Sequence, residues 1–118
     1  MSESINNAME QSRLDLITGM HLKSPKDSYL AFAAAVENQM AGNRQKAIEI
    51  IERLIDHDPE YSEAYYKLGK MYENDNKTKK AVSIYHEGKK VATRNNDEKS
   101  LGEITEALMF LDEEEGNW

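Results

Sequence analysis

The 118-residue sequence predicts an all-α fold, an α-solenoid of two helix–turn–helix repeats with a C-terminal capping helix. Three observations carry that prediction. The only two prolines, Pro25 and Pro59, define a shift along the chain, and the same shift carries Phe32 onto Tyr66, Ala35 onto Gly69, Ala47 onto Ala81, Ile50 onto Ile84 and Ile51 onto Tyr85. Within each copy the apolar residues recur at helical spacing twice, with a polar break between: Ala41-Gly42-Asn43 in the first, Asn74-Asp75-Asn76 in the second. Leucine, isoleucine and alanine outnumber valine, and only two prolines and six glycines interrupt the chain, a composition that favours helices over short strands.

Residues 1–24 precede the repeats. Ile5, Met9, Leu14, Leu16, Ile17, Met20 and Leu22 are too many apolar residues for a solvated linker, yet Gly19 and the irregular spacing obscure a helix. Three readings stay open: a disordered tail, an extra helix capping the first repeat, or a segment docked into a groove of its own or a neighbouring molecule. The repeats follow at 25–58 and 59–95, with helices expected at 25–41, 44–57, 59–73 and 77–94. Ser24, Pro25 and Asp27 read as an N-cap, a first-turn proline and an acidic first-turn residue, and Asp58, Pro59 and Glu60 read the same way. A last helix is expected at 97–112, where Leu101, Ile104, Leu108 and Leu111 form an amphipathic stripe able to cover the second repeat. The repeat domain thus runs 25–113, with an acidic tail end at 114–118.

Inside the second copy a glycine stands mid-helix, where it costs about 1 kcal/mol relative to alanine. Around it, Tyr65, Leu68, Gly69 and Tyr72, followed by Ala81 and Tyr85, resemble the tetratricopeptide repeat in period (about 34 residues), spacing and residue type. The first copy departs from that pattern at Ala31, Ala34 and Asn38, where the family has a large aromatic, leucine and tyrosine. Its second helix, with Ala47, Ile51, Leu54 and then Pro59, fits. The second copy has Thr93 for the closing proline and Gly88 where the first has Leu54. The resemblance covers residues 25–95. It implies that Ala35, Gly69, Ala47 and Ala81 sit where the helices of a repeat come closest, with Tyr65, Leu68, Tyr72 and Tyr85 filling the space around them.

The resemblance also implies where a partner binds. The first helix of each repeat lines a concave groove, so Tyr29, Phe32, Val36 and Gln39 from repeat one and Glu63, Tyr66, Lys70 and Glu73 from repeat two are the candidate binding residues. They mix aromatic anchors with a polar rim, as protein interfaces do. The bland alternative is that residues 1–24 cover Tyr29, Phe32 and Val36. Some family members grip a peptide's C-terminal carboxylate with basic and amide groups; here those positions carry Phe32, Val36 and Lys67, and only Lys70 suits a carboxylate. The implied function is a non-catalytic protein-interaction module for a protein or peptide partner. The alternative is a homodimer or larger assembly whose groove holds an N-terminal segment.

Composition narrows the remaining classes. The net charge of -7 divides into -1 over residues 1–24, -3 over 25–61, +4 over 62–95 and -7 over 96–118. The total argues against a nucleic-acid binder. The acidic tail Asp112 to Glu115, ending in Trp118, is a candidate salt-sensitive mask for Lys67, Lys70, Lys77, Lys79, Lys80, Lys89, Lys90 and Arg94. There is no cysteine, which excludes disulfides and thiolate sites. No signal peptide or membrane-spanning run is seen, so a cytoplasmic location without membrane contact is expected. His21, His57 and His86 lack a second ligand at helical spacing, and Asp58 and Glu60 beside His57 are assigned to a helix start. Neither a nucleophile elbow nor a phosphate-binding glycine loop is present. Neither enzymatic activity nor a metal or other cofactor is expected.

Overall fold

The computed structural model describes residues 2–115, with side chains for residues 8–111. The tail side chains from Asp112 to Trp118, and their expected masking role, lie outside the described residues. The chain divides into two compact units, residues 1–57 and 58–118. Among the described residues every regular element is an α-helix.

The first unit holds α1 (Ser2–Lys23), α2 (Ser28–Met40) and α3 (Arg44–His57), with α2 packed on both α1 and α3. On α2, Ala31, Ala34 and Ala35 are buried; α3 contributes the bulk, with Ile48, Ile50, Ile51 and Leu54 buried beside Ala47. Small residues on one helix thus admit large ones from the next, and packing density is kept. Asn38 fills the remaining family tyrosine position at 2% exposure. Its burial is tolerated because its amide is satisfied: Nδ2 donates to the Ala34 carbonyl at 2.8 Å and Oδ1 accepts from Asn43 Nδ2 at 3.1 Å.

Helix α1 packs on α2, and its Leu14, Ile17 and His21 are part-buried. Arg13 Nε donates to Glu37 Oε1 of α2 at 3.3 Å. Burial holds the His21 imidazole below its ordinary value of 6.5, with His57 and Arg53 pushing the same way, and its buried Nδ1 has no hydrogen-bond partner. The folded unit therefore favours neutral His21. That contribution is complete above pH 6.5 and is lost as pH falls through the window below it. Proteolysis of α1 should accelerate as pH drops from about 7.5 to about 5, and a His21→Leu variant should lose this dependence.

The second unit holds α4 (Ser62–Asn74), α5 (Thr78–Arg94) and α6 (Glu98–Glu115), with α5 packed on both α4 and α6. Its packing turns on two glycines. A Cβ at Gly69 would overlap the Tyr85 ring, and a Cβ at Gly88 would overlap Tyr65 and stand 2.9 Å from Ile104 Cδ1. Each helix thus seats the other's aromatic ring. The counterparts of Tyr65 and Gly88 in the first unit are Ala31 and Leu54, both buried, so large and small residues are exchanged between the repeats. Tyr65 also donates its hydroxyl to the Pro59 carbonyl at 2.6 Å. On α6, Ile104, Ala107, Leu108 and Leu111 are buried and Leu101 is part-buried.

Three helix ends share one geometry. Gly42, Asn76 and Asn96 take left-handed φ of 86°, 59° and 55°. The next amides then reach back, Asn43 to the Asn38 carbonyl at 2.8 Å, Lys77 to Tyr72 at 2.8 Å and Asp97 to Ala92 at 2.9 Å. These bonds satisfy carbonyls that a helix terminus leaves unpaired, with glycine or asparagine where φ is positive.

The helix starts differ from expectation at both prolines. Ser24 N bonds the Met20 carbonyl at 3.1 Å, so it closes α1, and Pro25 and Lys26 form a turn. The N-cap of α2 is Asp27, which accepts from Leu30 N at 3.0 Å. Helix α4 likewise begins at Ser62, after a turn through Pro59 and Glu60 closed by Tyr61 N to the Asp58 carbonyl at 3.1 Å. Glu60 is not a cap; its carboxylate receives the Arg94 guanidinium, with Nε 3.3 Å from Oε1, and its carbonyl receives Asn95 Nδ2 at 2.8 Å.

Candidate functional site

Two helix faces carry the predicted site residues. On α2, Tyr29 is 72% exposed, while Phe32, Val36 and Gln39 are part-exposed. Helix α1 makes its ion pair at Glu37 and shares with α2 a cleft of about 220 Å³ lined by Glu37, Met40 and Ala41, which leaves Tyr29 open. On α4, Glu63 is exposed and Tyr66, Lys70 and Glu73 are part-exposed. Position by position the first face is neutral and the second charged, with Val36 answered by Lys70 and Gln39 by Glu73.

The α4 face is held from behind by α5. Tyr66 rests against Tyr85 with ring centroids 6.3 Å apart and planes tilted by 33°. The Tyr85 hydroxyl donates to Glu73 Oε2, and Lys70 Nζ lies 3.7 Å from the same oxygen. Burial, then the hydrogen bond to Glu73, pushes the Tyr85 phenol far above its ordinary range, so it remains a proton donor. A carboxylate fixed by a buried donor has lost its freedom before any ligand arrives. The exposed Lys70–Glu73 pair adds little stability by itself.

Sequence reasoning placed Tyr85 among the packing residues. It is that, at 0% exposure, but its hydroxyl also sets the Glu73 carboxylate. Ile51 occupies the equivalent position in the first unit, so the tyrosine hydroxyl was the available signal. Several cations of the basic segment are engaged: Arg94 with Glu60, Lys77 with Asp75 at 3.2 Å, and Lys80 over the Tyr72 ring at 5.6 Å. No group of three His, Cys, Asp or Glu side chains close enough to hold a metal occurs among the described residues.

Helix pairs in which small residues seat large ones, recurring at a constant interval and joined by matching turns, define a helical-repeat protein of the α-solenoid class. The chain belongs to the tetratricopeptide repeat family. Residues 50–83 match that family's model. The crystal structure of a tetratricopeptide repeat domain protein from Salinibacter ruber is 32% identical, covers 73% of this chain and 96% of its own, and superposes with a TM-score of 0.71. The solution structure of that domain covers 80% and 95%, with a TM-score of 0.74 at 32% identity. The TPR2B domain of yeast Sti1, solved as a complex with pHsp70, shares the fold at 16% identity, covering 96% of this chain and 90% of its own with a TM-score of 0.81. No curated protein matches the chain.

Proposed function

We propose that this chain is a non-catalytic protein-interaction module that takes a protein or peptide segment on the outward faces of α2 and α4. The observation that carries this reading is the prearranged α4 face, where buried Tyr85 backs the Tyr66 ring and fixes Glu73 beside Lys70. Such a face offers an aromatic anchor within a polar rim and little ordering cost on binding. Tyr29, Phe32, Val36 and Gln39 supply an apolar counterpart on α2. The suited partner is an extended segment with apolar side chains and one or two polar groups. A carboxylate-terminal grip is disfavoured, because Lys70 is already paired with Glu73 and Phe32 and Val36 offer no donor. No helix among the described residues is long and apolar enough to cross a membrane. The reading places the protein in the cytoplasm, with no cofactor.

The test is affinity capture from the native lysate with the intact chain and a Phe32→Ala, Tyr66→Ala double variant. Both side chains are part-buried, so the variant should keep its helicity but melt lower, and capture is carried out below its melting transition. Truncating two aromatic anchors should weaken retention of specific partners by about 30-fold or more. Retrieval of the same proteins by both would remove these faces as the binding surface.

A further inference from the structure

Helices α1 and α3 end at Lys23 and His57, and the interval between those ends equals the one between Pro25 and Pro59 in the turns that follow. By repeat position α1 is a second helix. It packs on the helix after it, as α5 packs on α6, but no first helix stands before it among the described residues. Exposure records the gap. Ile50 and Leu54 of α3, which has α2 packed on it, are 7% and 0% exposed; their counterparts one repeat earlier, Leu16 and Met20, are 64% and 42% exposed. These two positions keep apolar side chains with nothing of the described chain to cover them.

Helix α6 is the reverse case. It packs on α5 and α4, and no second helix follows it among the described residues. Its buried positions follow those of α4 at one constant shift, Leu68 to Ile104 and Tyr72 to Leu108. The same shift puts Leu101 and Thr105 where Tyr65 and Gly69 lie against α5, and Met109 at the Glu73 position that the Tyr85 hydroxyl reaches. Leu101 and Thr105 are part-exposed and Met109 is 63% exposed.

Among the described residues α6 is thus a first helix without its second and α1 a second helix without its first, and the two faces complement each other. We propose that copies of this chain associate head to tail, the Leu101, Thr105 and Met109 face of α6 in one copy seating on the Leu16 and Met20 face of α1 in the next. The occupant of each open face is thus a second copy, and the joint restores one repeat. Arg13 occupies the position of small Ala47, but its guanidinium is bound by Glu37 of its own chain. The contact is heterologous, so each copy added leaves a fresh α6 or α1 face open. Being a single helix pair, it is weak, with Kd on the order of 10–100 μM. It uses neither the α2 nor the α4 face and stands or falls separately from the partner-binding reading.

Sedimentation equilibrium of the intact chain from about 5 to about 500 μM, a range that brackets such a Kd, is the first test. The average mass should at least double across it. A Leu16→Glu, Met20→Glu variant and a Met109→Glu variant should each stay monomeric, while their equimolar mixture forms dimers and nothing larger. Because the chain has no cysteine, Leu16→Cys and Met109→Cys variants give a second readout with little disturbance to folding. Mixed under oxidation, they should yield the 16–109 cross-link in excess over either self-cross-link. A wild-type chain that remains monomeric throughout would overturn the proposal. So would a Met109→Glu variant that self-associates like the wild type, which would mean symmetric pairing of α1, or a dominant 16–16 cross-link.

Discussion

Replacing Gly69 by leucine is expected to destabilise residues 58–118 by about 3 kcal/mol, measured by urea unfolding followed by circular dichroism. Leucine is the better helix former by roughly 1 kcal/mol, so a surface site would gain from the change. Here even a methyl group would overlap the Tyr85 ring. That ring is fully buried and its hydroxyl is tied to Glu73, so it has no room to yield. Gly102 supplies the contrast. It is helical, no atom beyond its own turn of helix lies within 4 Å of where its Cβ would stand, and Gly102→Ala should stabilise by about 0.5–1 kcal/mol.

Gly88→Leu should be comparably damaging, at about 3 kcal/mol, and more revealing. The new side chain would drive into Tyr65 on α4 and Ile104 on α6, so the change should loosen α6 as well as the α4–α5 pair. The first repeat already contains the remedy. Ala31 and Leu54 hold the positions of Tyr65 and Gly88, with the large residue on the other helix. Combining Tyr65→Ala with Gly88→Leu should therefore destabilise by about 4 kcal/mol, less than the roughly 6 kcal/mol sum of the separate losses, since Tyr65→Ala alone costs about 3 kcal/mol as a large-to-small change in a buried site. The double-mutant cycle should give a coupling of about 2 kcal/mol in favour of the pair, and strict additivity would show that the rings and glycines do not meet as described.

The repeat period was legible because prolines, small residues and aromatics recur together, and repetition over so long an interval reports a structural unit rather than local propensity. Which side of each helix faces inward was legible too, since Tyr65, Leu68, Gly69 and Tyr72 fall on one side of α4 and all are buried. Helix α1 was obscured because its apolar residues serve two faces, Leu14 and Ile17 part-buried and Leu16 and Met20 outward, which blurs a single stripe. The starts of α2 and α4 were misplaced by three residues because proline suits both a first helical turn and the tight turn before one. Side-chain hydrogen bonds across the fold, Tyr85 to Glu73 and Arg94 to Glu60, left no mark in residue spacing. The outward residues of α2 and α4 were named from family resemblance, and each keeps an exposed or part-exposed side chain.

Inward residues of α2 and α4 make the fold, and we propose that their outward residues meet the partner. Amide hydrogen exchange of the chain, alone and saturated with a protein recovered by capture, tests it most directly. Exchange should slow along α2 and α4, most strongly near Phe32 and Tyr66, with α3 and the outer turns of α5 unchanged. Slowing confined to α3 and α5, with α2 and α4 unaltered, would contradict it.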